Sequence, residues 1–319
     1  MARATKLQVV SPPAMSSLER SIADYLASVK ARGLSPRTVE HYEAVLRRIL
    51  LPFLMERGIE SPAGIDQRAL DRLSSRLLDD GGARGQLSRH SVHSYLRAVS
   101  HYLNWARADG EITAAAKPQM PKLPHRVLNV LSRDEIRAME DAAVTERDKL
   151  IVRILADTGL RLSELLGLTR DDLIEQGRDR YLKVRGKGSR ERLVPLQPNL
   201  YARLRRYFER GRPQDSASDR IFLTLRRSRV SGIHEPLDKR AVQELMGVLA
   251  VKADIRDKRV HAHALRHAFA TFALRKGMNP VQLQRVLGHQ SLEMISNVYA
   301  HLAPSDAAAA MMALLRDER

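Results

Sequence analysis

Residues 261–302 read HAHALRHAFATFALRKGMNPVQLQRVLGHQSLEMISNVYAHL, and they carry His263, Arg266, His267, His289 and Tyr299. His263 and His267 stand four apart and Arg266 three after His263, so a helix here turns all three to nearly the same side. Gly277 and Asn279-Pro280 punctuate the run. Asparagine caps and proline at the first helical position predict a new helix from 280. Gly288 breaks it just before His289, and Ser291 starts a further helix along which Tyr299 lies. Histidines can relay protons, arginine is a permanent cation that grips phosphate through paired N–H bonds, and a tyrosine hydroxyl can act as a nucleophile. The His263/His267 spacing can also hold a metal. However, position 264 is alanine where a zinc-binding HExxH helix needs glutamate, and the chain contains no cysteine. No metal and no cofactor are expected.

Two upstream segments extend the pattern. Arg161 follows Thr158-Gly159-Leu160 and precedes Ser163-Glu164-Leu165, where a turn before a helix can aim it into a cleft. Read alone, it is a surface arginine paired with Glu164 or Asp157. Residues 180–184 and 192–196 alternate as strands do, and Gly186-Lys187-Gly188-Ser189 between them predicts a hairpin turn. At its tip Lys187, flanked by Arg185 and Arg190, can reach a nucleic-acid groove or protonate a leaving alkoxide. Read alone, Lys187 is a solvated turn lysine and Tyr299 a half-buried core residue.

Outward from this set, the chain divides. Residues 1–15 have no period and are expected to form a flexible arm. Helical periods follow from Ser17, from Ser35-Pro36 through Leu50 with Pro52 as a kink or an end, over 66–78, and from Ser88 to Asp109-Gly110. Residues 16–112 are therefore expected to be a four-helix module. Its exposed faces carry Arg32, Arg37, Arg47, Arg48, Arg84, Arg89, His93 and Arg97. Residues 113–130, with Pro118, Pro121 and Pro124 beside Lys117, Lys122, His125 and Arg126, read as a basic, semi-rigid linker. The second domain, 131–319, opens on the capping box Ser132–Glu135. Its further helices are expected over 133–144, 147–157, 162–166, Asn199 to about 210, 238–252 and 263–276. Residues 226–236 read as a loop, and 305–316 as an apolar tail helix.

Composition bounds the partners. With 54 Lys and Arg against 37 Asp and Glu, the 319-residue chain carries a net charge of +17. So strong a positive charge points first to nucleic acid and second to an anionic membrane. No apolar run approaches the ~20 residues of a bilayer span, and the N-terminus lacks the apolar segment of a signal peptide. A soluble, cytoplasmic, nucleoid-associated protein is expected. The absence of cysteine excludes disulfides and thiolate metal sites.

Taken together and in order, TGLRLSELLGL, GKGSRERLVPL, HALRH, LGHQS and YAH resemble the tyrosine recombinase (phage integrase) superfamily over about 126–303. The fit is to its two-domain Xer-like or transposon-integrase type. Residues 17–111 resemble its core-binding domain more loosely. The 226–236 loop is longer than in compact Xer-type members, and 291–299 is less like theirs.

The resemblance implies a mainly α protein with a small antiparallel β-sheet. A four-helix, SAM-like core-binding domain and an α+β catalytic domain would form a C-shaped clamp on DNA. It implies a catalytic set of Arg161, Lys187, His263, Arg266, His289 and Tyr299. In that set Tyr299 is the nucleophile and Lys187 the general acid. Arg161, Arg266 and His289 bind the phosphate, and His263 transfers protons. Glu164 and His267 support them. DNA contacts are expected from Arg37, Arg89, Arg97, Lys122, Arg126, Arg185 and Arg190. The implied activity is site-specific recombination through a 3′-phosphotyrosyl bond and a Holliday junction, on double-stranded DNA with inverted-repeat half-sites. A homo-tetramer would form by exchange of tail helices from monomers in solution. Type IB topoisomerase-like relaxation and a catalytically silent DNA-binding protein remain as alternatives.

Overall fold

The computed structural model describes residues 15–79, 86–123, 130–186 and 191–288. The chain separates into two compact units, Met1–Arg126 and Val127–Arg319. Its described part is mostly helical, with one three-stranded antiparallel sheet.

The first unit is built from helices whose ends the sequence marks. Helix α1 (Ser17–Ala31) starts at a capping box in which the Ser16 hydroxyl accepts from Glu19 and the Glu19 carboxylate accepts from Ser16 N–H. Helix α2 (Pro36–Val45) starts as expected, with Ser35 as cap and Pro36 in the first turn. Pro52 neither ends nor breaks this rod. A π turn (Leu46–Leu50) carries the chain into α3 (Leu51–Met55), with the Leu51 N–H donating to Leu46, five residues back. Widening the ladder just before Pro52 is one way to accommodate a residue that lacks an N–H and crowds the preceding turn. Helix α4 (Gln67–Asp79) is capped by Asp66, which accepts from Ala69 N–H. Helix α5 (Arg89–Ala108) is capped by Ser88.

Apolar faces of these helices close on Ile22, Leu46, Leu50, Leu54, Leu70, Val92 and Leu96. Each fully buried aliphatic side chain contributes roughly 1.5–3 kcal/mol. An aromatic group of Tyr25, Tyr42, Tyr102 and Trp105 joins this core. Residues 113–117, read as the start of the linker, pack on the unit together with Ile112. Ile112 and Ala116 are buried in its core, the Gln67 side chain bonds Lys117 at both its N–H and its carbonyl, and Arg107 donates to the Ala114 and Ala116 carbonyls.

In the second unit, α6 (Arg133–Ala142) begins at the expected Ser132–Glu135 capping box. Helix α7 (Glu146–Thr158) ends on Gly159 in the left-handed region, at φ 63°. The short α8 (Leu162–Gly167) follows. Next come β1 (Leu173–Gln176), β2 (Asp179–Arg185) and β3 (Glu191–Pro195), with Leu182 paired to Leu173 on one side and to Val194 on the other. Strand β1 was not expected, because Leu173-Ile174-Glu175-Gln176 is too short to show a period of two. Its signal was Gly177, which turns into β2 at φ 58°.

Helix α9 (Pro198–Arg206) also differs from expectation. Asn199 is not its cap; Gln197 takes that place without a side-chain bond and Pro198 opens the helix. Helices α10 (Lys239–Lys252), α11 (Ala262–Arg275) and α12 (Pro280–Leu287) complete the described part. Helix α7 is the hub of the core, with Ile151, Ile154 and Leu155 all buried. It packs on α6, α8, α9 and α11.

Candidate active site

Three segments far apart in sequence meet at the C-terminal end of α12: the turn after α7, the start of β3, and α11. The turn depends on Gly159. A Cβ there would lie 2.6 Å from both Leu287 Cδ2 and Phe269 Cδ1. Its positive φ disfavours any other residue as well. This glycine lets α7 end against α11 and α12, and its carbonyl faces Arg266.

Arg266 is 2% exposed. Its Nη1 donates to the Gly159 carbonyl and its Nη2 to the Leu287 carbonyl at 2.8 Å. Burial, followed by repulsion from Arg161, brings its guanidinium down to about 10, so it stays charged at neutral pH. Among the described residues, two of its five N–H groups are used in this way. Arg161 extends from the start of α8 and donates to the Gly288 carbonyl at 3.0 Å and to Glu164 Oε1 at 2.8 Å. Glu164 and Arg161 are thus in direct contact. The Arg161 side chain is 37% exposed, so its cation reaches the surface. Asp157, the other acidic neighbour considered, pairs instead with Arg133 and Arg153.

Glu164 is 6% exposed and takes four donors. These are the Arg161 backbone N–H, Arg161 Nη1, and Arg192 Nη1 and Nη2 at 3.0 and 2.9 Å. Burial raises its carboxyl, but the Arg192 and Arg161 bonds outweigh that and hold it below the usual range.

On α11, His263 and His267 lie edge to face, with ring centroids 4.5 Å apart. His261 caps the helix, its Nδ1 accepting from Ala264 N–H. His263 is exposed on its outer side. Loss of solvation on its inner side, then repulsion from His267, Arg266, His261 and Arg161, pushes the imidazolium down to about 4. His263 is therefore neutral at pH 7. Arg161 and His263 open onto one cleft of about 620 Å³, which is also lined by Lys239, Gln243, Arg259 and His261. With three arginines around one carboxylate, the arrangement can bind an anion beside a neutral proton acceptor. Among the described residues, no group of three or more His, Cys, Asp or Glu could hold a metal ion.

The structure brings Arg161, Glu164, His263, Arg266 and His267 together. Lys187, Arg190, His289 and Tyr299 lie outside the described residues, as do Arg84, Arg126 and the tail helix. Arg185 ends β2 and is bound to the buried Asp172 and to Glu191. In the other unit, Arg37 and Arg97 share a cleft of about 340 Å³ with Ser35, His41 and Ser94. Arg89 and Lys122 are exposed elsewhere on that unit. Sequence reasoning missed Arg192. Its signal was alternation along β3, which puts Arg192 on the same side as the buried Val194 and Leu196, a side where a charge needs a partner.

This geometry coincides with clear relationships. The profile of the phage integrase family matches residues 129–306. The tyrosine recombinase XerD of Vibrio vulnificus (strain YJ016) is 30% identical over 281 residues, 85% of this chain and 87% of that protein. The chain belongs to the phage integrase family. It is a site-specific tyrosine recombinase, a DNA strand-transferring enzyme. The tyrosine recombinase XerA of Saccharolobus solfataricus is 28% identical over 309 residues, 94% of each chain. The fold matches that of the Tn1549 transposon integrase solved with transposon right-end DNA, at TM-score 0.71 and 22% identity over 94% of this chain and 100% of that one. Neither topoisomerase-like relaxation nor a silent binding protein is favoured by these relationships.

Proposed function

We propose that this recombinase cuts duplex DNA with Tyr299. The phenolic oxygen would attack the phosphorus and break its bond to the 5′ oxygen, leaving a 3′-phosphotyrosyl link and a free 5′-hydroxyl. The observation that carries this reading is the meeting of Arg161, Arg266 and neutral His263 at the end of α12, one residue before His289. Arg161 and Arg266 would bind the non-bridging oxygens. Donors aimed at developing charge are worth about 3–4 kcal/mol each. Neutral His263 accepts the Tyr299 proton, and the phosphate anion, once bound, stabilises the imidazolium that forms. Lys187 protonates the leaving 5′ oxygen, and His289 donates to the phosphate. The covalent link conserves the energy of the broken bond, so rejoining through a Holliday junction needs no ATP. Two guanidiniums take the place that metal ions hold in other phosphoryl transfers.

The substrate is double-stranded DNA with inverted-repeat half-sites, as befits an enzyme acting in the cytoplasm on the nucleoid. Arg37, Arg89, Arg97, Lys122, Arg126, Arg185 and Arg190 would follow the phosphates. Solved complexes of the Tn1549 integrase and of XerH contain DNA, which supports this partner. Monomers would assemble into a tetramer on DNA by exchange of tail helices, in integration and excision of a mobile element or in resolution of chromosomes. The test is a nicked suicide duplex bearing the protein's own site. Wild type forms a covalent band on a denaturing gel and Tyr299→Phe forms none. A band with Tyr299→Phe removes Tyr299 from the mechanism, and activity lost to a chelator and restored by zinc removes the metal-free one.

A further inference from the structure

Arg192 occupies a place that the recombination chemistry above does not use. It is 15% exposed at its side chain, and its planar guanidinium meets the site on three sides. Nη1 and Nη2 make a bidentate pair with the two Glu164 oxygens. Nε donates to the Val286 carbonyl at 2.8 Å, in the last turn of α12. Its face packs on Gly288, where an added Cβ would lie 3.1 Å from Nη1 and 3.2 Å from Cζ. Glu164 is the carboxylate that holds Arg161, and Gly288 is the turn whose carbonyl Arg161 also touches. One side chain thus fixes both anchors of Arg161.

We infer that Arg192 is a positioning residue for strand cleavage: it locks Glu164 and the Gly288 turn so that the Arg161 guanidinium is held toward the scissile phosphate. The inference rests on Arg161 acting on that phosphate. Sharing has an electrostatic side too. Glu164 divides its charge between two arginines, so Arg161 keeps more net positive charge than in an isolated pair. Arg161, Arg192, Arg266 and Glu164 together carry a formal +2, three cations less one anion. Lysine cannot replace Arg192, because a single ammonium does not supply a planar fork and a third N–H to a separate carbonyl.

The test measures single-turnover cleavage of the suicide duplex and, separately, DNA affinity by gel shift, for Arg161→Ala, Arg192→Ala, Arg192→Lys, Glu164→Gln and the Arg192→Ala/Glu164→Gln pair. Displacing a group that binds the reacting phosphate by about 1 Å can slow reaction roughly 100-fold. Arg192→Ala should cleave slower by about that factor and bind DNA as wild type does. The double variant should be no slower than the worse single one, because both changes act through Arg161. Where Arg192→Ala does not fold, Arg192→Lys retains the charge and most of the volume, and it should still cleave at least about tenfold slower. Wild-type cleavage by either Arg192 variant overturns the inference, as do multiplying defects in the pair or affinity falling in step with rate. If Arg161→Ala itself cleaves normally, the phosphate-binding reading fails instead.

Discussion

The two units bury different chemistry. In the N-terminal unit the polar side chains buried among the described residues are Ser21 and Ser74. In the C-terminal unit Glu140, Asp148, Glu164, Asp172, Arg212 and Arg266 are buried as well. The core of the first unit is therefore almost wholly apolar and aromatic. The second carries ions whose desolvation costs several kcal/mol each. Partners offset most of that cost. Glu140 is held by Arg153 and Arg203, Asp148 by Arg147, and Glu164 by Arg161 and Arg192. Arg266 and Arg212 differ, because backbone carbonyls take their hydrogen bonds, and of the two it is Arg266 that stands beside Arg161. A buried cation not quenched by a directly bonded carboxylate is poor for stability and well suited to receive a phosphate. The cluster of Arg161, Arg266 and His263 thus lies in the unit that tolerates the burial of charge.

The sharpest way to break this contrast is Arg266→Met. Cleavage of the suicide duplex should fall about 10²–10³-fold. The urea midpoint should change little, because relief of a buried charge offsets the loss of the donors to the Gly159 and Leu287 carbonyls. A variant that loses stability but cleaves normally would make Arg266 a strut. Next in size is Gly159→Ala, which combines a left-handed backbone with a 2.6 Å clash against Leu287 and Phe269. It should destabilise the C-terminal unit by about 3 kcal/mol, read from equilibrium unfolding. A loss below about 1 kcal/mol would show that α11 and α12 can give way.

His263 adds a pH signature that belongs to the same unit. Its folded pKa of about 4 lies below its ordinary 6.5. As pH falls, the unfolded chain takes up the proton first. Stability from the neutral ring is complete above pH 6.5 and is lost between 6.5 and about 4. His263→Gln should flatten the fall in melting temperature across that window. An unchanged slope would mean that the ring is as well solvated folded as unfolded. The smallest effect is expected in the other unit. Tyr102→Phe removes a buried 2.8 Å bond to Ser21 and should cost about 1 kcal/mol. Cleavage should be unaffected; a slower rate would mean that this core is coupled to the chemistry.

Much of this protein was legible in one dimension. Ser35-Pro36, Ser88, Ser132–Glu135 and Asn279-Pro280 state their helix starts, because capping is a contact between residues two or three positions apart. The alternation around Leu182 and Val194 states the main hairpin for a similar reason. Arg161, Glu164, His263 and Arg266 were legible through order and spacing, and their resemblance to a family supplied the roles that spacing could not. The packing of 113–117 on the helical unit was not legible, since Pro118 and its neighbours suggest a free connector while Ala116 finds its partners in distant helices. Strand β1 was hidden by its length, and Pro52 by a π turn that no local rule requires.

What the sequence by itself determined is therefore the set of local elements, the family and the inventory of reactive groups. Only the tertiary structure decided which groups share a charge. Glu164 lies three residues from Arg161 but 28 from Arg192, and it is held by both. Gly159 and Leu287, 107 and 21 residues from Arg266, supply the carbonyls that receive it. Those pairings follow from the burial of α7, α11 and α12 against one another, which forces every polar group at their meeting point to find a partner there. That force acts across space, so it leaves almost no trace in the spacing of residues along the chain.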